Sequence, residues 1–211
     1  MASSERRLVL VRHCLTDYDV AGPTGRFLGR ADPVLNDHGI QEANALRQIL
    51  ADIPFDRAFA GNSRRCRQTL EIIIGQRNIP IEIDHLMNEI DYGDWEGLTK
   101  GDVVTRFAED WKRFEENPDN VPPNGESVKS CAERVESWLT KLQCNRGLAV
   151  VDKTWLRLLI CSIMGAPITR YRQCLDAKIA SITVLLLVSK SWRMETLNYG
   201  ATRKRVFGID V

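Results

Sequence analysis

Four residues of this sequence carry side chains suited to chemistry on a small anion: Arg12, His13, Arg65 and Glu89. A histidine can act as a nucleophile or as a base. Two arginines offer forked N–H donors that match the oxygens of a phosphate or a carboxylate. A glutamic acid close to them can carry a proton to a leaving oxygen. Together these residue types indicate a site that binds and transforms an oxyanion.

The hydrophobic pattern places these residues at the ends of predicted β-strands. Each follows a separate strand: Arg12 and His13 after residues 8–11, Arg65 after 55–60, Glu89 after 81–83, and Asp152 with Lys153 after 147–151. The carboxyl ends of parallel strands share one edge of a sheet, where open α/β sheets bind their ligands. We therefore expect these side chains to converge at that edge.

Helical periodicity alternates with the strands along the chain. The remaining predicted elements are helices within 40–50, 63–74, 101–121, 127–142 and 155–164, and a closing hairpin formed by 179–188 and 192–197. This alternation predicts a three-layer α/β/α fold with a mostly parallel central sheet. The length of 211 residues predicts a single domain covering residues 1–211.

Composition argues against several classes of partner. The net charge of +1 gives no general electrostatic basis for binding nucleic acid or an acidic membrane surface. The start of the sequence lacks the apolar core of a signal peptide, and no apolar run approaches the length of a membrane span. Three histidines make a histidine-based metal site improbable. The cysteines form no Cys-x-x-Cys pair, which favours reduced thiols in a cytoplasmic protein.

Five short motifs occur in a fixed order and carry a resemblance to a known family. They are Arg-His-Cys-Leu-Thr at 12–16, Gly-Arg-Ala-Asp-Pro-Val-Leu at 29–35, Asn-Ser-Arg-Arg-Cys-Arg-Gln-Thr at 62–69, Glu-Ile-Asp-Tyr-Gly-Asp-Trp-Glu-Gly at 89–97 and Asn-Gly-Glu-Ser at 124–127. The chain resembles the histidine phosphatase superfamily, which includes cofactor-dependent phosphoglycerate mutases and α-ribazole-phosphate phosphatases. The resemblance covers nearly the whole chain and implies a phosphoglycerate mutase-like fold.

The resemblance implies a role for each of the four residues. His13 would attack phosphorus and become a phosphohistidine, while Arg12 and Arg65 would hold the phosphoryl oxygens. Glu89 would protonate the leaving group and then activate water. No metal or other cofactor is implied, the substrate would be a small phosphomonoester, and a homodimer is a reasonable assembly. Residues 17–30 and 101–123 would cover the pocket, and further substrate contacts are expected from Cys14, Thr16, Arg30, Lys153 and Trp155.

The sequence departs from the family pattern at the site itself. Asp152 takes the place of the family's second catalytic histidine, and both glycines that follow that histidine are replaced. A carboxylate there would repel a phosphate dianion by a few kcal/mol, on the order expected in a partly desolvated site. Cys14 replaces a glycine beside the nucleophile, Trp155 adds bulk, and Gly61 stands where the family has a serine. Lys153 could supply the missing positive charge.

These departures leave three hypotheses open. The first is a phosphomonoesterase with an altered pocket in which Asp152 is catalytic or tolerated. The second is a repurposed enzyme that performs acid–base chemistry on a carboxylated or otherwise anionic metabolite. The third is a non-catalytic protein that binds a small anion. The Cys14 thiol also has two interpretations: a thiolate with a lowered pKa beside the cations, or a small buried hydrophobic residue.

Overall fold

Six strands form one central sheet in the computed structural model, which describes residues 6–19, 25–117, 119–200, 205–206 and 209–210. The strands are β1 (Arg6–Arg12), β2 (Arg57–Ala60), β3 (Ile81–Ile83), β4 (Arg146–Val151), β5 (Ser181–Val188) and β6 (Ser191–Gly200); β7 (Arg205–Val206) and β8 (Ile209–Asp210) pair separately. Their order across the sheet is β3-β2-β4-β1-β5-β6. The first four strands pair in parallel, and β5 and β6 add an antiparallel edge.

Helices cover both faces of this sheet. They are α1 (Asp37–Ile49), α2 (Arg64–Ile74), α3 (Lys100–Arg106), α4 (Ala108–Glu116), α5 (Val128–Lys141), α6 (Lys153–Met164) and α7 (Tyr171–Cys174), with 3-10 turns at His85–Met87, Gly93–Trp95 and Ile168–Arg170. The apolar faces of α1 and α2 join one core, and those of α5 and α6 join the other. The three-layer α/β/α architecture with a mostly parallel sheet is thus confirmed.

Strand β1 lies between β4 and β5 and contributes to both cores. Leu8 and Leu10 pack into the core beneath α5 and α6, whereas Val9 and Val11 pack into the core beneath α1 and α2. Successive side chains of a strand point to opposite faces, so a strand covered on both faces needs apolar residues throughout. This double burial fixes the position of β1 and therefore of His13, which follows it.

The helix starts differ in a way that matters for the site. Asn36 and Ser127 accept hydrogen bonds from the first turns of α1 and α5, as N-cap side chains commonly do. Asp152 occupies the N-cap position of α6, but its side chain makes no capping bond. The prediction that this helix begins at Trp155 was wrong, because the helix already begins at Lys153. The Asp152 carboxylate is consequently available for other partners.

Residues 101–121 contain two helices, as predicted, and these helices build a separate apolar cluster. Trp95 is fully buried there against Val103 and Phe114.

Among the residues that the structure describes, no helix combines the length and apolar character that crossing a bilayer requires.

Candidate active site

A cavity of about 410 Å³ lies at the carboxyl ends of β1 and β4. Strand pairing places Arg12 opposite Val151, so the residues that follow the two strands lie side by side. The ionisable side chains that line the cavity are Arg12, His13, Asp19, Arg26, Glu89, Asp152, Lys153, Arg157 and Arg172. The expected convergence of residues from separate strands at this edge is therefore present.

His13 is held rigidly at the base of the cavity. Its backbone N–H donates to Val151 O at 3.0 Å, and its ring Nδ1 lies 2.9 Å from Cys14 O. A carbonyl can only accept, so Nδ1 carries the proton in the neutral ring and the lone pair lies on Nε2. Nε2 lies 3.4 Å from Asp152 Oδ1. Burial lowers the pKa of His13 to about 4, against the opposing effect of Asp152, so the ring is neutral at pH 7.

Asp152 and Arg65 form a buried ion pair behind His13. Arg65 Nε donates to Asp152 Oδ1 at 2.6 Å, and both side chains are at most 1% exposed. Burial disfavours both charged forms, but the attraction between the two side chains outweighs burial. The pKa of Asp152 is therefore lowered and the pKa of Arg65 is raised. The Cys66 thiol adds a contact of 3.4 Å to Asp152 Oδ2. Asp152 is therefore a carboxylate that Arg65 neutralises at close range.

Each of the two terminal nitrogens of Arg65 also makes a hydrogen bond. Nη1 donates to Ala31 O at 2.9 Å and Nη2 donates to Gly29 O at 3.1 Å. Arg65 is absent from the lining of the cavity. The expectation that Arg65 would hold a bound anion directly is not supported by this geometry, because Asp152 and two carbonyls already occupy its guanidinium.

Arg12 is paired in a similar way but faces the cavity. Its Nη2 donates to Asp19 Oδ1 at 3.1 Å and its Nη1 donates to Ala177 O at 2.8 Å. Its buried Nε has no hydrogen-bond partner among the described residues. Burial lowers the pKa of this guanidinium, and Asp19 opposes the shift. Among the described residues, protein acceptors thus engage two of the five N–H groups of Arg12.

Glu89 accepts hydrogen bonds at the N-terminus of α6. Thr154 N donates to Oε2 at 2.7 Å, and Trp155 N donates to Oε1 at 3.2 Å. The carboxylate therefore satisfies the first-turn amides that Asp152 leaves uncapped. Burial raises the pKa of Glu89 to about 7, with a further contribution from the charge of Asp152. A carboxyl group with this pKa can exchange a proton near neutral pH.

Two cavity residues escaped the sequence predictions. Arg157 follows Lys153 by four residues on α6, so the two side chains lie on the same face of that helix. This spacing could have identified Arg157 once the start of the helix was placed correctly. Arg172 comes from α7, a four-residue helix without a recognisable motif, and no sequence signal pointed to it.

Cys14 and Trp155 are core residues and do not line the cavity. Both are 0% exposed, and they belong to the cores on opposite faces of the sheet. The Trp155 indole donates to Leu86 O at 2.9 Å. Of the two interpretations of Cys14, the structure supports the small buried hydrophobic residue, because burial raises the pKa of its thiol to about 12. Substrate contacts from these two side chains are ruled out by their burial in the cores.

Thr16 and Arg30 also lie outside the cavity lining. Thr16 Oγ1 donates to Asp19 Oδ2 at 2.7 Å and so holds the carboxylate that pairs with Arg12. Arg30 is half-exposed and its Nε donates to Asp91 at 3.3 Å, beside a separate and smaller cavity. Of the two predicted covering segments, residues 18, 19 and 25–28 line the main cavity, whereas no described residue of 101–123 does.

The α/β fold places a histidine, an arginine and a glutamic acid in one cavity at the strand ends, where open α/β sheets bind their ligands. The family model for the histidine phosphatase superfamily (branch 1) matches residues 8–200. The chain therefore belongs to the histidine phosphatase superfamily, as its motifs predicted.

Similar proteins in this family are phosphatases and mutases. The chain is 33% identical over 166 residues to the adenosylcobalamin/alpha-ribazole phosphatase of Salmonella typhimurium, spanning 76% of this chain and 81% of that relative. It is 39% identical over 137 residues to a 2,3-bisphosphoglycerate-dependent phosphoglycerate mutase of Allorhizobium ampelinum, spanning 61% and 62%. The crystal structure of the alpha-ribazole phosphatase of Shigella flexneri superposes with a TM-score of 0.84 at 26% identity, covering 91% of this chain and 96% of that one. The prediction of a phosphatase-like enzyme is confirmed at this level.

The Arg65–Asp152 pair predicts a large effect of Asp152→Asn on stability. The variant leaves the Arg65 charge buried without its counterion, so we expect the free energy of unfolding at pH 7 to fall by about 3–5 kcal/mol. Urea denaturation measures this change. The matched control is Glu82→Gln, which breaks the half-exposed contact between Arg57 and Glu82 and should cost about 1 kcal/mol or less. Equal free energies of unfolding for the two variants would contradict a large stabilising contribution from the Arg65–Asp152 pair.

The same pair predicts a pH dependence. The pKa of Asp152 is lower in the folded than in the unfolded chain, so its stabilising effect is present at neutral pH. The stability difference between wild type and Asp152→Asn should shrink as the pH falls through the folded-state pKa.

Cys14 is expected to react slowly with iodoacetamide at neutral pH. Its raised pKa of about 12 and its complete burial leave little accessible thiolate. Cys144 is half-buried, whereas Cys14, Cys66, Cys131 and Cys161 are buried, so Cys144 should be alkylated before these four. Peptide mapping of the native protein over time measures both rates, and faster labelling of Cys14 than of Cys144 would contradict this assignment.

Proposed function

We propose that this protein hydrolyses a small phosphomonoester through a phosphohistidine at His13. The observation that carries the proposal is the fixed orientation of the ring. Nδ1 is bound to Cys14 O, so the lone pair lies on Nε2 beside a cation-lined cavity. The lowered pKa keeps that nitrogen unprotonated at neutral pH, as a nucleophile must be.

The reaction would proceed in two steps. Nε2 of His13 attacks phosphorus while the bond to the ester oxygen breaks, and Glu89 gives its proton to the departing alkoxide. A water molecule then attacks the phosphohistidine, Glu89 takes a proton from that water, and inorganic phosphate leaves. The pKa of about 7 suits Glu89 to both roles near neutral pH.

The internal ion pairs make slow turnover the expected outcome. Phosphoryl transfer depends on positioning and on neutralising the charge of the phosphoryl oxygens. Arg65 is already paired with Asp152, and Arg12 is already paired with Asp19. The phosphoryl group would therefore rely on the charge of Arg12, which Asp19 partly offsets, and would meet the carboxylate of Asp152 close to His13.

The substrate class is supported by the names of the similar proteins. The relatives include an adenosylcobalamin/alpha-ribazole phosphatase and a phosphoserine phosphatase, the latter 29% identical over 170 residues. These names describe enzymes that act on small phosphorylated metabolites. A cavity of about 410 Å³ is of the size that proteins use for small-molecule ligands.

A second candidate is anion binding without covalent chemistry. The observation that favours it is the distance of 2.6 Å between Arg65 and Asp152, since the carboxylate occupies the guanidinium that would otherwise meet a phosphoryl group. Under this hypothesis His13 and Glu89 would bind or exchange protons with a ligand, and no phosphohistidine would form.

Trapping of a phosphoenzyme distinguishes these two functions. We expect rapid mixing with phenyl phosphate, followed by a denaturing quench at alkaline pH that preserves the acid-labile P–N bond, to yield a phosphohistidine peptide that contains His13, detected by mass spectrometry. His13→Gln should abolish the adduct and reduce turnover to a few per cent or less, on the order expected for loss of a nucleophile. The control His85→Gln removes an exposed histidine far from the cavity lining and should leave both unchanged. Ligand binding without any adduct would reject the phosphatase and favour the second candidate.

The pH dependence tests the role of Glu89. Hydrolysis needs unprotonated His13 and protonated Glu89, so kcat/KM should fall below about pH 4 and above about pH 7. Glu89→Gln cannot donate the proton, and its alkaline limb should disappear while kcat falls about a hundredfold or more on an alkyl phosphate. The loss should be smaller on 4-nitrophenyl phosphate, whose leaving group needs little protonation. An unchanged alkaline limb in Glu89→Gln would exclude Glu89 as the acid.

A further inference from the structure

Three cations on one side of the cavity differ from Arg12 and Arg65 in their partners. We name Lys153, Arg157 and Arg172 the basic wall. Within the described part of the chain, Lys153 and Arg172 have no carboxylate within ion-pair distance. Arg157 has one, Asp176 at 3.9 Å, and that carboxylate is 75% exposed. Exposed pairs at such distances contribute little, so the positive charge of the wall is largely uncompensated.

Arg172 is held in place as a binding group would be. Its guanidinium carbon lies 3.7 Å from the centre of the Phe114 ring, and its Nε donates to Tyr171 Oη at 2.9 Å. Its Nη2 is buried and has no hydrogen-bond partner among the described residues. Its Nη1 also donates to Phe114 O at 3.5 Å, so the side chain is anchored at the cavity lining while its charge lacks a carboxylate partner among the described residues. An anion in the cavity would supply that missing counter-charge.

The positive charges of the neighbouring cations repel one another. Burial lowers the pKa of Lys153, and the charges of Arg157 and Arg12 lower it further. A bound anion would relieve this repulsion. Asp176 and Asp19 partly oppose this shift, but Asp19 is already paired with Arg12, Asp152 is paired with Arg65, and Glu89 accepts from the backbone of α6.

We propose that the basic wall is a second anion subsite, which binds a carboxylate or a second phosphate on the substrate at a distance from the reacting phosphoryl group. The substrate class is then a phosphomonoester with a remote anionic group. This inference rests on the proposed function for the position of the reacting group. Binding energy from the remote group would compensate for the weak hold of Arg12 and Arg65 on the phosphoryl group.

Calorimetric titration with non-hydrolysable phosphonates tests the subsite directly. Benzylphosphonates that carry a carboxylate in the meta or para position are compared with the isosteric carboxamides, which lack the charge. For wild type, we expect the better carboxylate isomer to bind at least about tenfold more tightly than its carboxamide, because charge-assisted hydrogen bonds to a guanidinium are strong. Xylylene bisphosphonates, which carry a second phosphonate in place of the carboxylate, are titrated in parallel. If they bind more tightly than the carboxylates, the remote group of the substrate is a phosphate.

Variants connect this preference to the wall. Lys153→Met and Arg172→Gln should reduce the preference for the charged ligand to about threefold or less, and Arg172→Lys should restore part of it. The matched control Arg170→Gln removes an exposed arginine two residues away that does not line the cavity, and it should keep the full preference. Thermal unfolding verifies that each variant is folded.

Two results would overturn the subsite. One is an absence of any preference for the charged ligands in wild type, and the other is a preference that survives in both Lys153→Met and Arg172→Gln. The phosphohistidine assay separates this failure from that of the proposed function. A His13 adduct without charge preference rejects the subsite alone, whereas charge preference without an adduct supports the wall and rejects only the nucleophile.

Discussion

The buried ion pair between Arg65 and Asp152 is the interaction on which the site depends. At 2.6 Å and with almost no solvent exposure, neither charge has an alternative partner of comparable strength. Two ions removed from water must compensate each other, and additional hydrogen bonds must satisfy their remaining donors and acceptors. The carbonyls of Gly29 and Ala31 do this for Arg65, and the Cys66 thiol contacts the second oxygen of Asp152. The pair thereby joins α2 to the start of α6 and to the loop before α1.

This pair determines what the groups around it can do. Because Asp152 turns toward Arg65, the first-turn amides of α6 lack a capping side chain, and Glu89 accepts their hydrogen bonds instead. Glu89 is therefore fixed at the helix N-terminus, where burial and the charge of Asp152 keep its pKa near neutrality. His13 lines the same cavity as Glu89, and its Nε2 lies 3.4 Å from Asp152 Oδ1. The acid, the potential nucleophile and the internal counterion form one coupled unit.

The sequence predicted the fold and the position of most of this unit for a clear reason. Strands buried on both faces leave continuous apolar runs, and the run at 8–11 identified the strand that ends at Arg12 and His13. Alternation of such runs with helical periodicity then required a parallel sheet, and the edge shared by its strands brought Glu89, Asp152 and Lys153 to the same cavity. Local pattern was sufficient there because backbone topology, and not side-chain pairing, decides which residues meet.

Side-chain pairing was the part that the sequence could not supply. Arg65 and Asp152 are 87 residues apart, and a basic residue at a strand end looks the same whether it faces a ligand or a buried carboxylate. Cys14 and Trp155 adjoin site residues but point into the cores, which depends on helix and strand rotation. Arg172 reaches the cavity only through the position of a short helix. As a result, the two arginines that were predicted to hold the phosphoryl group both have buried carboxylate partners. The cations without a buried carboxylate partner are Lys153, Arg157 and Arg172, and of these only Lys153 was predicted as a substrate contact. In this chain, the family motifs therefore locate His13 and its neighbours at the cavity, whereas the pairing of side chains decides which cations remain available to an anion.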